Sequence, residues 1–183
     1  MKLFLKNIFI IFIYFNCNAQ ISDYNLYASG VDQLNNGNYE KAIEIFTEFI
    51  YKYPSHNYLD KVYEGRGYAY LKLQKYSNAI SDFDIAIELN PYNYYAYNSR
   101  GIAKQSPKLY PEIIDLAGAL DDFKKAIEIE PGFATAYFNR GMLYYSFLDY
   151  KKAISDFENA IKLNPNYELK LRSLINEMKS KLK

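Results

Sequence analysis

One spacing of glycine, alanine, phenylalanine and proline occurs four times along this chain of 183 residues. An alanine follows the glycine by twelve residues, a phenylalanine comes four later and a proline eight after that, with six extra residues before the third alanine. The four sets are Gly30, Ala42, Phe46, Pro54; Gly67, Ala79, Phe83, Pro91; Gly101, Ala119, Phe123, Pro131; and Gly141, Ala153, Phe157, Pro165. A period of about 34 residues is typical of stacked helix-turn-helix units. Because one helical hairpin cannot bury its apolar face alone, the spacing predicts an all-α solenoid.

Residues 76–89 show why each unit should be helical. Apolar side chains recur there at steps of three and four residues, which is the pattern of a helix with one buried face. Pro91 cannot continue a helix and disfavours helical geometry at Asn90, so we expect the chain to turn there.

The pattern resembles the tetratricopeptide repeat family. The resemblance is carried by two near copies of one motif, Tyr63, Arg66, Gly67, Tyr70, Tyr76, Ala79, Phe83, Ala86, Pro91 and Tyr137, Arg140, Gly141, Tyr144, Tyr150, Ala153, Phe157, Ala160, Pro165. It implies a solenoid of four repeats at about 23–59, 60–93, 94–133 and 134–167, within a domain spanning 20–167. It also implies that the first helix of each pair lines a concave groove, where protein segments bind.

The end of the chain, 168–183, should be a capping helix. Its apolar residues share one face, and its basic residues lie largely elsewhere: Leu171, Leu174, Ile175, Met178 and Leu182 are the apolar set. The last repeat of a solenoid needs such a cover. A basic helix on a membrane surface is the alternative.

Residues 1–19 have the features of a secretory signal peptide. Lys2 and Lys6 precede an apolar run at 8–15, small residues follow, and the stretch has no acidic residue. We expect cleavage between Ala19 and Gln20 and a periplasmic or secreted protein without a membrane span. One alternative is a lipoprotein with lipid attached to Cys17, but the residues before Cys17 argue against it. The other alternative is that the segment stays uncleaved as a membrane anchor.

The inventory of reactive side chains argues against an enzyme. After cleavage the only cysteine is lost, and His56 is the only histidine, expected in a solvated loop. No Gly-x-Ser-x-Gly turn or glycine-rich phosphate loop occurs. We therefore expect no catalytic residue, cofactor or metal site. Removing Lys2 and Lys6 leaves 20 basic against 21 acidic residues, so we expect no nucleic-acid partner.

An arginine before the glycine and an aspartate before the phenylalanine occur together in three repeats and are both missing from the first. This joint occurrence predicts that they touch, because a guanidinium can hold a carboxylate with two hydrogen bonds. The expected structural pairs are Arg66 with Asp82, Arg100 with Asp122, and Arg140 with Asp156.

The groove predicted from the resemblance is rich in tyrosine and nearly uncharged, which suits a protein or peptide partner. The candidate binding residues are Tyr24, Tyr27, Tyr68, Leu71, Tyr95, Asn98, Phe138, Met142 and Tyr145. We expect Tyr68, Tyr95, Phe138 and Tyr145 to form one aromatic strip, although some groove tyrosines could instead pack against the cap.

The resulting function is a non-catalytic adaptor or scaffold that binds a protein segment in the groove. The alternatives are a structural subunit of a bacterial envelope assembly, acting through its convex face or edges, and an enzyme. The sequence makes no prediction of oligomeric state.

The third repeat carries its extra residues between Gln105 and Leu116. Pro111 suits the first position of a helix. We therefore expect the second helix of this repeat to begin near Pro111 and to be about one and a half turns longer than its counterparts.

Overall fold

The computed structural model describes residues 23–106 and 115–183, and these ranges contain helices and no strand. Consecutive helices pair into four hairpins, and a ninth helix follows the last pair. The helices are α1 (23–35), α2 (Tyr39–Lys52), α3 (Leu59–Lys72), α4 (Tyr76–Leu89), α5 (Tyr94–Lys104), α6 (Leu116–Ile129), α7 (Ala134–Ser146), α8 (Tyr150–Leu163) and α9 (Glu168–Lys181), with a 3-10 turn at Pro165–Tyr167. The expected all-α solenoid is confirmed.

The repeated glycine and phenylalanine meet at the seam of each hairpin. The ring of Phe83 is fully buried, and a Cβ added at Gly67 would lie 2.9 Å from it. The same added atom at Gly141 would lie 2.7 Å from Phe157. Only glycine lets the first helix approach the ring this closely, which explains the fixed spacing in the sequence.

The buried side chains form successive clusters along the solenoid. Each cluster combines the phenylalanine seam of one hairpin with small alanines of the same or the next one, such as Ala79, Phe83 and Ala96. Alanine at these positions leaves room for neighbouring helix backbones. Each cluster therefore joins the second helix of one hairpin to the helix that follows it, as in a stacked array.

The start of α6 differs from the expectation. The helix begins at Leu116, because Asp115 has non-helical backbone angles and its side chain accepts a hydrogen bond from the Gly118 amide at 2.7 Å. This side-chain cap fixes the helix start, so α6 has the same length as α4, 14 residues. The prediction of a longer helix is wrong, and Pro111 itself lies outside the described residues.

Helix α9 covers the end of the array. Leu171, Ile175 and Met178 are buried against α8 in a cluster that includes Phe157. Leu182, expected on the same face, follows α9 as its C-terminal cap and remains 46% exposed. None of the helices in the described ranges has the length and apolar run needed to cross a bilayer.

The turn between the helices of a hairpin places one residue in left-handed geometry. Gly37 has φ 76°, Gln74 has φ 60° and Leu148 has φ 59° at equivalent places. Glycine adopts this geometry without a steric cost, whereas leucine does not. The last hairpin therefore contains a strained turn whose Leu148 side chain is also 69% exposed.

Candidate functional site

The concave side of the solenoid holds a groove with a volume of about 1200 Å³. It is formed mainly by the first helices α1, α3 and α5 and by the start of α7. Its lining is Leu34, Asn35, Tyr39, Glu64, Gly65, Tyr68, Leu71, Lys72, Gln74, Tyr76, Tyr95, Asn98, Ser99, Ile102, Gln105, Ser106, Phe133 and Thr135. Among the described residues of this lining, only Glu64 and Lys72 carry a full charge, so the walls that they form are mostly aromatic, aliphatic and amide groups.

Four of the nine candidate binding residues line this groove: Tyr68, Leu71, Tyr95 and Asn98. The rings of Tyr68 and Tyr95 are 38% and 49% exposed, which is enough to offer contact area to a bound segment. The ammonium group of Lys72 lies 5.0 Å from the centre of the Tyr68 ring. The second and third repeats thus contribute the open aromatic surface.

Asn98 lies deeper than a contact residue would. Its side chain is only 4% exposed, and its Oδ1 accepts a hydrogen bond from Asn139 at 2.9 Å. Because Asn139 is on α7, this bond ties two neighbouring first helices together. Asn98 thus lines the groove with a nearly buried side chain, and its hydrogen bond to Asn139 holds α5 against α7.

Phe138 and Tyr145 are not part of an open strip. Phe138 stacks on Tyr167 with ring centres 5.1 Å apart, and the Lys170 ammonium lies 4.5 Å from its centre. Tyr145 packs against the cluster under α9 and lies 6.0 Å from Tyr150. The single strip predicted for these aromatics is wrong, because the capping helix and the turn before it cover this part of the concave face.

The remaining candidates lie outside the groove lining. Tyr27 packs into the first core cluster, 5.5 Å from the Tyr58 ring, and is partly buried. Tyr24 is 57% exposed and Met142 is 38% exposed, and neither lines the groove. The groove is therefore shorter than the full concave face.

Sequence reasoning missed the aromatic ring that closes the groove on the α7 side. Phe133 immediately precedes α7, and its ring centre lies 5.1 Å from that of Tyr95 and 5.0 Å from that of Tyr94. A signal was present, because Phe133 is two residues after the repeat proline. Equivalent positions hold His56, Asn93 and Tyr167, all of which make specific contacts.

Two groups near the groove have altered acidity. Burial raises the pKa of Glu64, the nearby Asp60 acts in the same direction, and a hydrogen bond from Asn93 partly opposes the rise. A hydrogen bond with Tyr95 raises the pKa of Tyr94 to about 12, with burial acting in the same direction. The middle of the groove is consequently an environment that disfavours additional negative charge.

The arginine and aspartate of each pair are in contact. Arg66 donates from Nε and Nη2 to the two Asp82 oxygens, both at 2.8 Å, and Asp82 is 4% exposed. Arg140 and Asp156 repeat this geometry at 2.8 Å. Such two-point pairs join the helices of one hairpin and lie on the seam, away from the groove lining.

The third pair carries additional charged partners. Arg100 donates from Nε to Asp122 at 3.0 Å, and from Nη1 to Asp84 of the preceding hairpin at 2.6 Å. Lys104 adds a second cation 3.0 Å from Asp122. This pair therefore links two successive hairpins as well as its own helices.

His56 corrects the expectation of a solvated loop. Its Nε2 lies 2.9 Å from the Asp23 carboxylate, and its Nδ1 accepts the Tyr58 amide proton at 3.1 Å. The Phe49 ring meets the imidazole edge-on at 5.3 Å. Because Nδ1 accepts a hydrogen bond, the proton of the neutral imidazole is on Nε2, which donates a hydrogen bond to Asp23. The histidine therefore connects the link between the first two repeats to α1.

The chain matches two family models. Residues 134–167 match the tetratricopeptide repeat, and residues 19–129 match YfiO, described as outer membrane lipoprotein. Among curated proteins, it is 34% identical over 101 residues to RNA polymerase II-associated protein 3 of Xenopus tropicalis. That match covers 55% of this chain and 14% of the relative, so the chain spans a small part of it.

Solved structures share the fold. The tetratricopeptide repeat protein TTC0263 of Thermus thermophilus superimposes with a TM-score of 0.68 at 22% identity, covering 87% of this chain and 82% of that one. The first tetratricopeptide domain of Spaghetti (RPAP3), bound to the HSP90 peptide SRMEEVD, gives 0.60 at 23%, covering 69% and 95%. The chain is built from tetratricopeptide repeats and belongs to the YfiO family, described as outer membrane lipoprotein.

Proposed function

We propose that this protein is a non-catalytic adaptor or scaffold that binds an extended protein segment in the groove of its second and third repeats. The observation that carries the proposal is the open aromatic wall made by Tyr68 and Tyr95 around a volume of about 1200 Å³. Aromatic side chains supply large contact area at a low entropic cost, and they dominate many binding interfaces.

The relatives support this class of function. The structural neighbour RPAP3 holds a peptide on the same kind of helical array. In this chain the groove lining comes from the same first helices that the family resemblance implies. The seams between helices are filled by phenylalanines and arginine–aspartate pairs, whereas the Tyr68 and Tyr95 side chains of the groove remain exposed.

Affinity capture from the native cell envelope tests the groove. Replacing Tyr68 and Tyr95 together by alanine should lower the recovery of partners at least about tenfold, which corresponds to about 1.4 kcal/mol. The matched control replaces Tyr51 and Tyr92, which are 86% and 78% exposed and do not line the groove. Equal recovery by both double variants would reject the groove as the binding surface.

A structural role at an edge is the second candidate, and one exposed pair favours it. Phe147 and Leu148 form the turn between α7 and α8, and they are 47% and 69% exposed. If this edge carries assembly, replacing Phe147 by serine and Leu148 by glycine should abolish partner recovery while the groove variant retains it. The same capture experiment thus separates the two functions.

We propose further that the chain is exported, with residues 1–19 as its signal peptide, the repeats at 20–167 and the cap at 168–183. The envelope location in the YfiO family description supports export. Intact mass of the protein isolated from cells tests the processing. A species starting at Gln20 is expected, whereas one starting at Cys17 with added lipid mass would show that the protein is a lipoprotein.

A further inference from the structure

Glu64 is a charged residue in the wall of the groove. It lies in the middle of α3 and lines the cavity together with Tyr68 and Tyr95. The equivalent positions of the other repeats, three residues before the glycine, hold Tyr27, Asn98 and Phe138, none of which is charged. The second repeat therefore adds a carboxylate to an otherwise almost neutral surface.

The hydrogen-bond partner of this carboxylate is neutral. Oε2 of Glu64 accepts a hydrogen bond from Asn93 Nδ2 at 2.8 Å. Across residues 23–106 and 115–183, the ion pairs of the structure do not include Glu64. The nearby Lys61 instead places its ammonium 5.6 Å from the Tyr58 ring. A second carboxylate, Asp60, lies one turn earlier on α3.

The surroundings of Glu64 disfavour its charge. Burial raises the pKa of Glu64, and the charge of Asp60 adds to this rise, while the Asn93 hydrogen bond and the charge of Lys61 oppose it without cancelling it. Burial also raises the pKa of Tyr27, with the negative charge of Glu64 as the next cause. A positive group entering the groove would relieve this unfavourable environment, because an opposite charge favours the ionised carboxylate.

Aromatic rings line the same cavity. Tyr95 is half exposed, and its ring lies edge-on to Phe133 with centres 5.1 Å apart. Tyr68 contributes a third ring on the α3 side. The faces of such rings attract a cation, more strongly when water is partly removed.

We propose that the groove accepts a lysine or arginine side chain of the bound segment, with its positive group paired to Glu64 and its aliphatic stem against Tyr95 and Tyr68. This inference rests on the proposed groove function and adds the chemistry of the partner. Among the described lining residues Lys72 is the other charged group, and its ammonium already lies 5.0 Å from the Tyr68 ring, so the carboxylate of Glu64 is the group that attracts an added cation. The lysine or arginine therefore fixes the register of an otherwise apolar contact.

Two small probes of equal size test the inference on the purified protein. n-Butylammonium mimics a lysine side chain, and n-butanol is its neutral counterpart with the same number of heavy atoms. Both are titrated while amide and carboxyl signals are followed by NMR. We expect butylammonium to shift the Tyr68 and Tyr95 signals, to lower the pKa of Glu64, and to bind at least about fivefold more tightly than butanol.

The matched variants are Glu64→Gln and Glu88→Gln. Glutamine at 64 keeps an oxygen for the Asn93 hydrogen bond and removes only the charge, whereas Glu88 is exposed on α4 outside the groove lining. E64Q should remove the preference for butylammonium, and E88Q should retain it. Equal binding of the two probes to the unmodified protein, or a preference that persists in E64Q, would overturn the inference.

The outcomes also separate this inference from the groove function. Loss of partner capture in the Tyr68 and Tyr95 variant, without any preference for butylammonium, would leave the groove function standing and reject the cationic residue. If the preference for butylammonium depends on Glu64 but partner capture is unchanged in that tyrosine variant, Glu64 binds a cation and the groove is rejected as the surface that holds the partner.

Discussion

The second and fourth repeats have nearly identical seams, but their concave faces differ in what covers them. Both hold a buried phenylalanine against a glycine and an arginine–aspartate pair at 2.8 Å. At the position after the glycine, Tyr68 of the second repeat and Met142 of the fourth are both 38% exposed. Three residues before the glycine the repeats differ, because Glu64 lines the groove whereas Phe138 is covered by Tyr167 and Lys170. The same repeat motif therefore fixes how a hairpin is built, while the following element decides whether its concave face can bind.

The largest expected effect concerns the part that the two repeats share. Phe83→Ala and Phe157→Ala should each lower the free energy of unfolding by about 3–5 kcal/mol, because both rings are fully buried against a glycine. Urea unfolding followed by circular dichroism measures the loss. Costs that differ by more than about 2 kcal/mol would show that the two seams are not equivalent.

Breaking an arginine–aspartate pair should give the next largest loss in the free energy of unfolding. Arg66→Ala and Arg140→Ala each leave an aspartate that is nearly buried, and such a change costs about 3 kcal/mol. A double-mutant cycle with Asp82→Ala isolates the coupling between Arg66 and its partner. A coupling energy near zero would mean that the pair contributes geometry without stability.

Substitutions on the concave faces of the two repeats should differ in their effect on the free energy of unfolding. Phe138→Ala should cost about 2 kcal/mol, since it removes the stacking on Tyr167 and part of the cluster under α9. Tyr68→Ala should stay within about 0.5 kcal/mol, because the ring is exposed in the groove. The same urea measurement applies, and equal costs would contradict the distinction between a covered and an open face.

The smallest effect concerns the turns of the two hairpins. Leu148→Gly should raise the free energy of unfolding by about 0.5–1 kcal/mol, since glycine adopts the left-handed geometry without a clash. Gln74→Gly at the equivalent turn relieves the same geometry, but Gln74 also has an interaction partner, so its gain should be smaller. A loss of stability at Leu148 would show that the exposed leucine makes a stabilising contact.

The seams could be predicted from the sequence because their partners recur at one fixed distance along the chain in three repeats, and at that distance plus the six inserted residues in the third. Gly67 and Phe83 recur in the same spacing as Gly141 and Phe157, so internal comparison places them together. The same reasoning applied to Arg66 and Asp82, which are 16 residues apart.

The concave face could be predicted only in part. Leu71 and Tyr145 occupy equivalent positions, but Leu71 lines the groove whereas Tyr145 packs against the cluster under α9. The difference comes from the next element along the array, which the repeat motif itself does not encode. The start of α6 was missed for a local reason. The side chain of Asp115 caps the helix at Leu116, and the expectation from Pro111 did not weigh this aspartate, three residues before a glycine, as a helix start.

The central claim is that the open groove of the second and third repeats, and no other tyrosine-bearing face, holds the partner segment. The most direct measurement places the photoreactive residue p-benzoylphenylalanine at Tyr95 or at Tyr51 and irradiates cells of the native organism. The account predicts a defined protein adduct from position 95 and none from position 51, although Tyr51 is the more exposed ring. An adduct from position 51, with none from position 95, would contradict it.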